Sequence, residues 1–240
     1  MTGRRKNAAK STDAAKAVGF RTRVAQVKRE RMRSRLLIAT MDACSAGNVT
    51  GTGKAVIDDV VKAAGVSRGT FYKYFDSIEQ AVSQLGSRLA DETVSELILM
   101  VANVEDPLQR TAAGLQFMIA RSIADPIWGR FVGHTEHLTR DSVLLAGIRQ
   151  NTLAGQKKGD FHFKSMAAAV DFQLGLTKVG VTQVHEVEQG EKRGYMRNLA
   201  HMTLLGLGTK DTRATEAVQI AAKDLFLRGP EHLKWWKEFR

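Results

Sequence analysis

Two short amphipathic segments separated by a glycine constrain the fold of this chain more than any other feature of its sequence. In the first segment, the apolar residues recur at helical spacing: Ile57, Val60, Val61 and Ala64. Gly65 follows them, and a glycine at this place is typical of the left-handed residue that ends a helix. Ser67 can cap a second, short helix, in which Phe71 and Phe75 share one stripe while Lys73 points away. The spacing predicts two helices joined by a tight turn.

Helical patterns continue on both sides of this pair. Leu37, Met41 and Cys44 follow the helical period, so Cys44, the only cysteine, is expected in the core. Ser77 and Gln80 have the spacing of a capping box that opens a long helix. The three prolines are expected at helix starts. Further helices are expected over residues 107–124, 126–138, 141–158, 164–188, 194–207 and 211–227. Since no hairpin turn with alternating flanks occurs, the sequence predicts an all-α protein.

The segment 166–184 is unusual among these helices. It carries only Asp171 and Lys178 as charges and is apolar or small nearly all round, which predicts a helix buried on two sides. A central helix of a monomer and a helix of a dimer bundle explain it equally well. In the second case, the residues expected at the dimer interface are Ala167, Val170, Leu174, Thr177 and Val181.

Positive charge is concentrated at the amino terminus. The first 35 residues carry 12 Lys or Arg and two acids, although the net charge of the whole chain is only +11. Such a segment favours polyanions, or is a solvated tail. Residues 1–29 have no sustained amphipathic period and are expected to form a basic flexible arm. A single cysteine and the lack of an apolar run of signal or membrane type favour a cytoplasmic protein.

The paired helices present polar side chains that suit DNA. Gly69 permits close approach of the backbone. Three side chains can reach phosphates, namely Ser67, Arg68 and Tyr72, and three can face base edges, namely Thr70, Lys73 and Tyr74. The alternative is an ordinary helical hairpin with a wet polar face.

The segment IDDVVKAAGVSRGTFYKYFDSIEQAV, residues 57–82, resembles the amino-terminal DNA-binding domain of the TetR family of bacterial transcriptional regulators. The likeness rests on its Ala-Gly-Val-Ser turn, its Gly-Thr-Phe-Tyr recognition helix and its aromatic-Phe ending, and it covers residues 31–85. Residues 157–161 and 204–208 resemble segments of the second domain of that family more weakly.

The resemblance implies a homodimer with a three-helix helix-turn-helix DNA-binding domain and a larger helical domain for ligand binding and dimerisation. The expected divisions are a basic flexible arm over residues 1–29, a DNA-binding domain over 30–80, an effector-binding and dimerisation domain over 81–230, and a tail over 231–240.

Two positions depart from the family pattern. Where the family often has a Thr or Ser that caps the second helix and touches phosphate, this chain has Ala55-Val56. Thr50, Thr52 and Lys54 are therefore expected to supply that contact. A lysine that commonly follows the serine of the fourth helix start is replaced by Ile78. A basic arm that tracks the backbone or enters the minor groove would compensate.

The resemblance also places an effector pocket among the carboxy-terminal helices. The residues expected to line it are Phe117, Met118, Arg121, Trp128, Phe131, His134, Phe172 and Gln173. Each of them alone would also suit a plain core. Together they suggest an apolar or aromatic ligand with one or two hydrogen-bonding groups.

Neither catalysis nor a bound cofactor is expected. No nucleophile, base and orienting group can be assembled from the spacing of the residues, and His134 and His137 lack a third metal ligand at a suitable distance along the chain. The sequence therefore predicts a TetR-like repressor that binds a palindromic operator as a homodimer and is released by a small-molecule effector. The alternative is a sequence-independent nucleic-acid or nucleoid binder, which is driven by the basic arm and uses its helical domain only to dimerise.

Overall fold

The computed structural model describes residues 4–45, 54–134 and 143–239, and within these ranges all regular structure is helical. The predicted all-α class is therefore confirmed. The helices are α1 (Arg4–Ser45), α2 (Lys54–Ala64), α3 (Arg68–Phe71), α4 (Ile78–Val101), α5 (Pro107–Ala124), α6 (Pro126–His134), α7 (Val143–Lys158), α8 (Met166–Gln183), α9 (Lys192–Gly206), α10 (Asp211–His232) and α11 (Trp236–Phe239). The chain divides into two compact units, Met1–Val82 and Ser83–Arg240. Among the described helices, none has the length and apolar character that crossing a bilayer requires.

The first helix is longer than the sequence pattern indicates. Amphipathic periodicity predicts a helix from Arg31, but α1 begins at Arg4 and runs unbroken to Ser45. The added part is rich in Ala, Lys and Arg, which have high intrinsic helix propensity and require no apolar stripe to form a helix. Whether residues 1–29 act as a flexible arm stays a prediction.

The core of the first unit forms where the end of α1 packs on α2. Leu36 and Val60 are fully buried, and Ala64 is nearly so. Cys44 is buried beside them, as predicted, and burial raises the pKa of its thiol. A thiol with a raised pKa carries little thiolate and is chemically quiet.

Gly65 ends α2 in the way that its place in the sequence predicts. Its φ is +59°, in the left-handed region. The Gly65 N–H donates to the carbonyl of Lys62 at 3.1 Å, and the Val66 N–H donates to the carbonyl of Val61 at 2.9 Å. These two bonds make a Schellman motif, which satisfies the last carbonyls of α2 and turns the chain toward α3.

Two of the three prolines begin helices as predicted. Asp106 caps α5 by accepting a hydrogen bond from the Leu108 N–H at 3.0 Å, and Asp125 accepts from the Trp128 N–H at 3.0 Å at the start of α6. The prediction for Pro230 is wrong, because it lies inside α10. The helix ends two residues later, so the missing proline N–H disturbs only its last turn.

The second unit is built around α5, whose consecutive residues 115–120 are all buried. Small residues let α8 come close to it. A Cβ at Gly180 would lie 2.7 Å from Ile119 Cδ1, so a larger residue there would require the Ile119 side chain to shift. The loop after α7 also meets the end of α9: the His162 N–H donates to the Leu207 carbonyl at 2.7 Å, beside Gly208 with its φ of +87°.

Residues near the carboxy terminus hold the end of α4. The Arg228 guanidinium donates to the carbonyls of Leu99 at 2.6 Å and Met100 at 2.8 Å, and the Trp235 indole N–H donates to Glu96 at 2.9 Å. Arg228 thereby satisfies carbonyls that a helix end leaves without partners. We call Arg228 and Trp235 the carboxy-terminal clamp.

The sequence predicts a tail over residues 231–240, and the described part of it, residues 231–239, packs within the second unit. Trp235 and Trp236 are both buried, and Trp235 lies edge-on to Phe117 with ring centroids 5.5 Å apart. Phe239 is buried against Trp236. The last residues therefore extend the apolar core of this unit.

A glycine substitution tests the turn after α2. Gly65→Ala should destabilise the protein by about 1–2 kcal/mol, because an L-residue is strained at positive φ. Gly69→Ala is the matched control: Gly69 is exposed in α3, and a Cβ there would meet only Ser67 Oγ at 3.8 Å. Urea unfolding followed by circular dichroism measures both variants. Equal stability of the two would contradict the left-handed turn.

A tryptophan substitution tests the packing of the last segment. Trp235→Ala should lower the free energy of unfolding by about 3–5 kcal/mol, because it leaves a cavity and removes the partner of Glu96. Lys234→Ala, at the exposed neighbouring position, should change it by less than about 0.5 kcal/mol. A Trp235→Ala variant with unchanged stability in thermal unfolding would show that this segment is not part of the core.

Candidate functional sites

The first candidate site is the surface of α3 and the turn that follows it. Ser67 has extended backbone, and its hydroxyl oxygen accepts a hydrogen bond from the Thr70 N–H at 3.2 Å, which confirms the predicted cap. The helical hydrogen bonds continue past α3 to Phe75, whose N–H donates to the Phe71 carbonyl at 3.1 Å. The segment 67–75 is therefore one capped helical stretch.

Two phenylalanines attach this stretch to the first unit. Phe71 is fully buried, Phe75 is 1% exposed, and their ring centroids lie 5.5 Å apart. The guanidinium of Arg33, from α1, lies over the Phe75 ring at 5.7 Å. The predicted division into a buried stripe and an outward polar face is confirmed.

The outward face carries the residues expected to contact DNA. We call these residues the recognition surface: Ser67, Arg68, Gly69, Thr70, Tyr72, Lys73 and Tyr74. All of them are exposed except Thr70 and Tyr74, which are half-buried. Tyr72 leaves 53% of its surface exposed, a large fraction for an aromatic side chain. The face is polar, cationic and aromatic, as nucleic-acid contacts require.

Arg68 already has a partner in the first unit. Its Nε donates to Asp58 Oδ1 at 2.6 Å and its Nη2 to Oδ2 at 2.5 Å, so the ion pair is bidentate. The hydrogen bond from Arg68 lowers the pKa of Asp58, and the pKa of Arg68 is raised in turn. The pair ties α2 to α3 and orients the guanidinium, which keeps further N–H groups for a phosphate.

Three other predicted DNA contacts receive no side-chain description. Thr50 and Thr52 lie outside the described residues, and Lys54 begins α2 with a side chain that is also outside the description. Their part in DNA binding stays a prediction.

The second candidate site is a cavity of about 690 Å³ in the second unit. Its described walls come mainly from α4, α5, α7 and α8, and apolar side chains predominate among them, including Leu97, Leu115, Ile148 and Leu174. The volume lies within the range of about 300–1,000 Å³ that is usual for small-molecule sites.

The eight residues expected to line an effector pocket divide into three groups. Met118 and Gln173 line the cavity. Phe117, Trp128 and Phe131 are buried in the core and are not among its described lining residues.

The other three are placed elsewhere. Arg121 lies over the rings of Trp128 and Trp235 at 5.6 and 5.4 Å. Phe172 is partly exposed on α8, and its ring lies against Gly206 of α9, where a Cβ would come within 2.4 Å. His134 ends α6, and its side chain is outside the description.

Helix α7 also lines the cavity, although its residues are not among those predicted from the sequence. Leu144, Ile148 and Asn151 line the cavity from this helix, at intervals of four and three residues. That amphipathic spacing is visible in the sequence and would have indicated an inward stripe.

The residues expected at a dimer interface lie mostly on the inner side of α8. Val170 and Val181 are buried within the second unit, and Leu174, Thr177 and Val181 line the cavity. Ala167 alone is exposed. A different set of large apolar side chains is exposed on α8 and α9, which we call the apolar face: Phe172, Val179, Met202 and Leu205.

One Ser–His pair also comes together in the second unit. Ser122 Oγ donates to the Val181 carbonyl at 2.7 Å and lies 2.9 Å from His185 Nε2. Burial, followed by the charges of Lys192 and Arg130, lowers the pKa of His185. Because Ser122 is fully buried, this contact joins α5 to the end of α8 rather than presenting a nucleophile to a substrate.

Comparison with known proteins matches one segment of the chain to a family and most of the chain to a known fold. Residues 49–84 match the family model for bacterial regulatory proteins of the tetR family. A search of curated proteins finds no match.

Solved structures share the fold. RolR in complex with resorcinol is 22% identical and has a TM-score of 0.60, and the match covers 80% of this chain and 95% of RolR. The fatty acid degradation regulator FadR from Bacillus halodurans is 18% identical with a TM-score of 0.60, over 75% of this chain and 97% of FadR. A TetR family transcription regulator from Marinobacter aquaeolei VT8 is 14% identical with a TM-score of 0.56, over 83% and 97%.

The matched segment contains the whole recognition surface, and the structural likeness extends over most of the chain. Residues 49–84 thus match the model of bacterial regulatory proteins of the tetR family, and the described helices share the fold of solved structures that include regulators of that family.

Proposed function

We propose that this protein is a homodimeric repressor that binds a palindromic operator and is released by a small-molecule effector. The observation that carries the proposal is the recognition surface, a capped polar face that buried Phe71 and Phe75 hold in place. The cavity in the second unit supports the effector part of the proposal.

In this proposal the recognition surface enters the major groove. Ser67, Arg68 and Tyr72 contact phosphates, while Lys73 reaches the acceptors of guanine. Thr70 and Tyr74 are half-buried, so their contacts to base edges are limited to the exposed part of each side chain. Gly69 presents no side chain, which lets the backbone approach the groove.

The apolar face supports dimerisation. Val179 is 47% exposed and Met202 is 58% exposed, although both lie on helices whose other sides are packed in the core. Ala168 is also exposed on α8 and is small enough to let a second helix come close. We therefore assign the dimer contact to this face, in place of Val170 and Val181, which are buried inside the second unit.

Helix α4 gives the effector a route to the DNA-binding segment. It begins at Ile78, soon after the recognition surface ends, and its later residues Val94, Leu97 and Val101 line the cavity. A ligand that favours one position of α4 would change the spacing of the two recognition surfaces in a dimer. Successive major grooves lie about 34 Å apart, so a wider spacing weakens binding. The coupling equals the difference in ligand affinity for the two states, typically about 1–3 kcal/mol.

The arm-driven binder is the second candidate, because α1 extends the basic segment as a helix back to Arg4. In that case cationic residues of the arm would bind any duplex, and the recognition surface would be inert. If six arm cations met phosphates, the slope of log affinity against log salt would gain about −5.

Selection from random duplex DNA tests the proposed function. At about 150 mM salt, where non-specific binding is weakened, the protein should retain an inverted repeat. Lys73→Ala should weaken binding to that sequence by about 5-fold to 150-fold and relax its preference for guanine, because a base contact contributes about 1–3 kcal/mol. Lys223→Ala, an exposed lysine on α10, is the control and should bind as the unchanged protein does.

Deletion of residues 1–29 separates the two candidates. If the protein is a repressor, the deletion should lower its affinity for DNA and the salt dependence of that affinity, but the preferred sequence should stay the same. If it is an arm-driven binder, the deletion should abolish DNA binding. Retention of DNA without any common motif would overturn the repressor and favour the arm.

A charge substitution on the apolar face tests the dimer. Val179→Glu combined with Met202→Glu should give a monomer in sedimentation velocity, because two carboxylates would be buried against their symmetry mates without partners. Leu227→Glu is the matched control, since Leu227 is 66% exposed on α10 outside this face. If the double variant sediments as a dimer, the interface lies elsewhere.

A further inference from the structure

The charged residues of the cavity are of one sign. Arg110 and Lys178 are its only charged lining residues within the described part of the chain, and no carboxylate of that part lines it. Both side chains are exposed, Arg110 on α5 and Lys178 on α8. The cavity therefore offers positive charge to whatever enters it.

Neutral donors of the lining are largely occupied by the protein itself. Gln173 uses its amide N–H groups on Thr152 Oγ1 at 2.9 Å and on the Ala169 carbonyl at 3.0 Å. The amide N–H groups of Asn151 donate to the Pro107 carbonyl at 3.0 Å and to Thr111 Oγ1 at 2.9 Å.

The threonine hydroxyls are occupied as well. Thr177 donates to the Gln173 carbonyl at 2.8 Å, and Thr203 donates to the Leu199 carbonyl at 2.8 Å. The amide of Gln150 remains, but it is neutral and binds an anion less strongly than a cation does.

The cations have donors to spare. The Arg110 Nε–H donates to the Val104 carbonyl, which leaves the other N–H groups of the guanidinium available to a ligand. The Lys178 ammonium has no hydrogen-bond or salt-bridge partner among the residues that the structure describes. A carboxylate is the group that pairs most strongly with an ammonium that has no protein partner.

The apolar body of a ligand also has room. Gly114, Gly147 and Gly175 line the cavity, and a Cβ built at any of the three would meet no atom within 4 Å. These glycines widen the cavity on three of its helices. A larger side chain at one of them would occupy ligand space without displacing protein atoms.

We propose that the cavity takes an apolar molecule with a single anionic group, such as a medium-chain alkyl or aromatic carboxylate, and that Lys178 binds this group. The inference rests on the proposed function only in assigning the effector to this cavity. Arg110 adds positive charge at an exposed part of the lining. The direction of the selectivity follows: an acid binds more tightly than the alcohol or the amine of the same chain length.

Calorimetric titration of the full-length protein with octanoate, octan-1-ol and octylamine tests this selectivity. Octanoate should bind up to about fivefold more tightly than octan-1-ol, and octylamine should bind most weakly, because an ion pair with an exposed lysine strengthens binding by roughly twofold to fivefold. A second pair, 4-butylbenzoate and 4-butylphenol, distinguishes an aromatic from an alkyl body. A preference for the acid in either pair supports the proposal.

Two variants assign the preference to the cavity. Lys178→Met keeps the length of the side chain and should remove the advantage of octanoate while leaving octan-1-ol binding unchanged, and Lys178→Arg should restore it. Gly114→Leu should weaken every probe, because it fills the cavity. Lys164→Met, at an exposed lysine before α8, is the control and should behave as the unchanged protein does.

The outcomes separate this inference from the proposed function. Equal affinity for acid and alcohol, no binding of any probe, or an acid preference that survives Lys178→Met would overturn the ligand class. None of these results depends on DNA, so selection of an inverted repeat could still succeed. Conversely, the protein could bind octanoate as expected and still select no operator.

Discussion

Burial of Phe71 and Phe75 is the interaction on which the DNA-binding site depends. A four-residue helix such as α3 makes too few hydrogen bonds to persist alone. Its position comes from two rings that are almost completely buried and from the Schellman turn at Gly65, which sets the direction of the chain into the helix. The bidentate pair between Arg68 and Asp58 adds a polar tie between α2 and α3 on the exposed side. The recognition surface is therefore prearranged by the first unit.

Helix α4 has contacts of two kinds in the second unit. Leu97 and Val101 line the cavity, while the Leu99 and Met100 carbonyls accept hydrogen bonds from Arg228 of the carboxy-terminal clamp. The clamp gives the end of this helix polar partners, while the cavity leaves part of the surface of Leu97 and Val101 uncovered by protein. A ligand in the cavity would add contacts to this helix, and it would shift a conformational equilibrium only to the extent that those contacts differ between the two states.

Most of the residues that line the candidate cavity differ from those that the sequence predicts. Large aromatic residues were expected there, but Phe117, Trp128 and Phe131 are buried in the core. Helix α7 supplies Ile148 and Asn151 instead. Aromatic side chains bury the most apolar area, so they are used first to fill a core, and a lining needs smaller residues that leave space. Composition cannot distinguish these two uses, because both place apolar residues on helices.

By itself, the sequence determined the all-α class, the turn at Gly65, the cap at Ser67, the caps of α5 and α6, and the division of segment 67–75 into buried and polar sides. These features depend on local spacing and on the conformational preferences of single residues, which the chain carries in its order. Only the tertiary structure decided which side of α8 faces the cavity, which aromatic residues fill the core, and that residues 231–239 pack within the second unit. Those outcomes depend on contacts between residues far apart in the chain, such as Trp235 with Glu96, and no local pattern specifies such a partner.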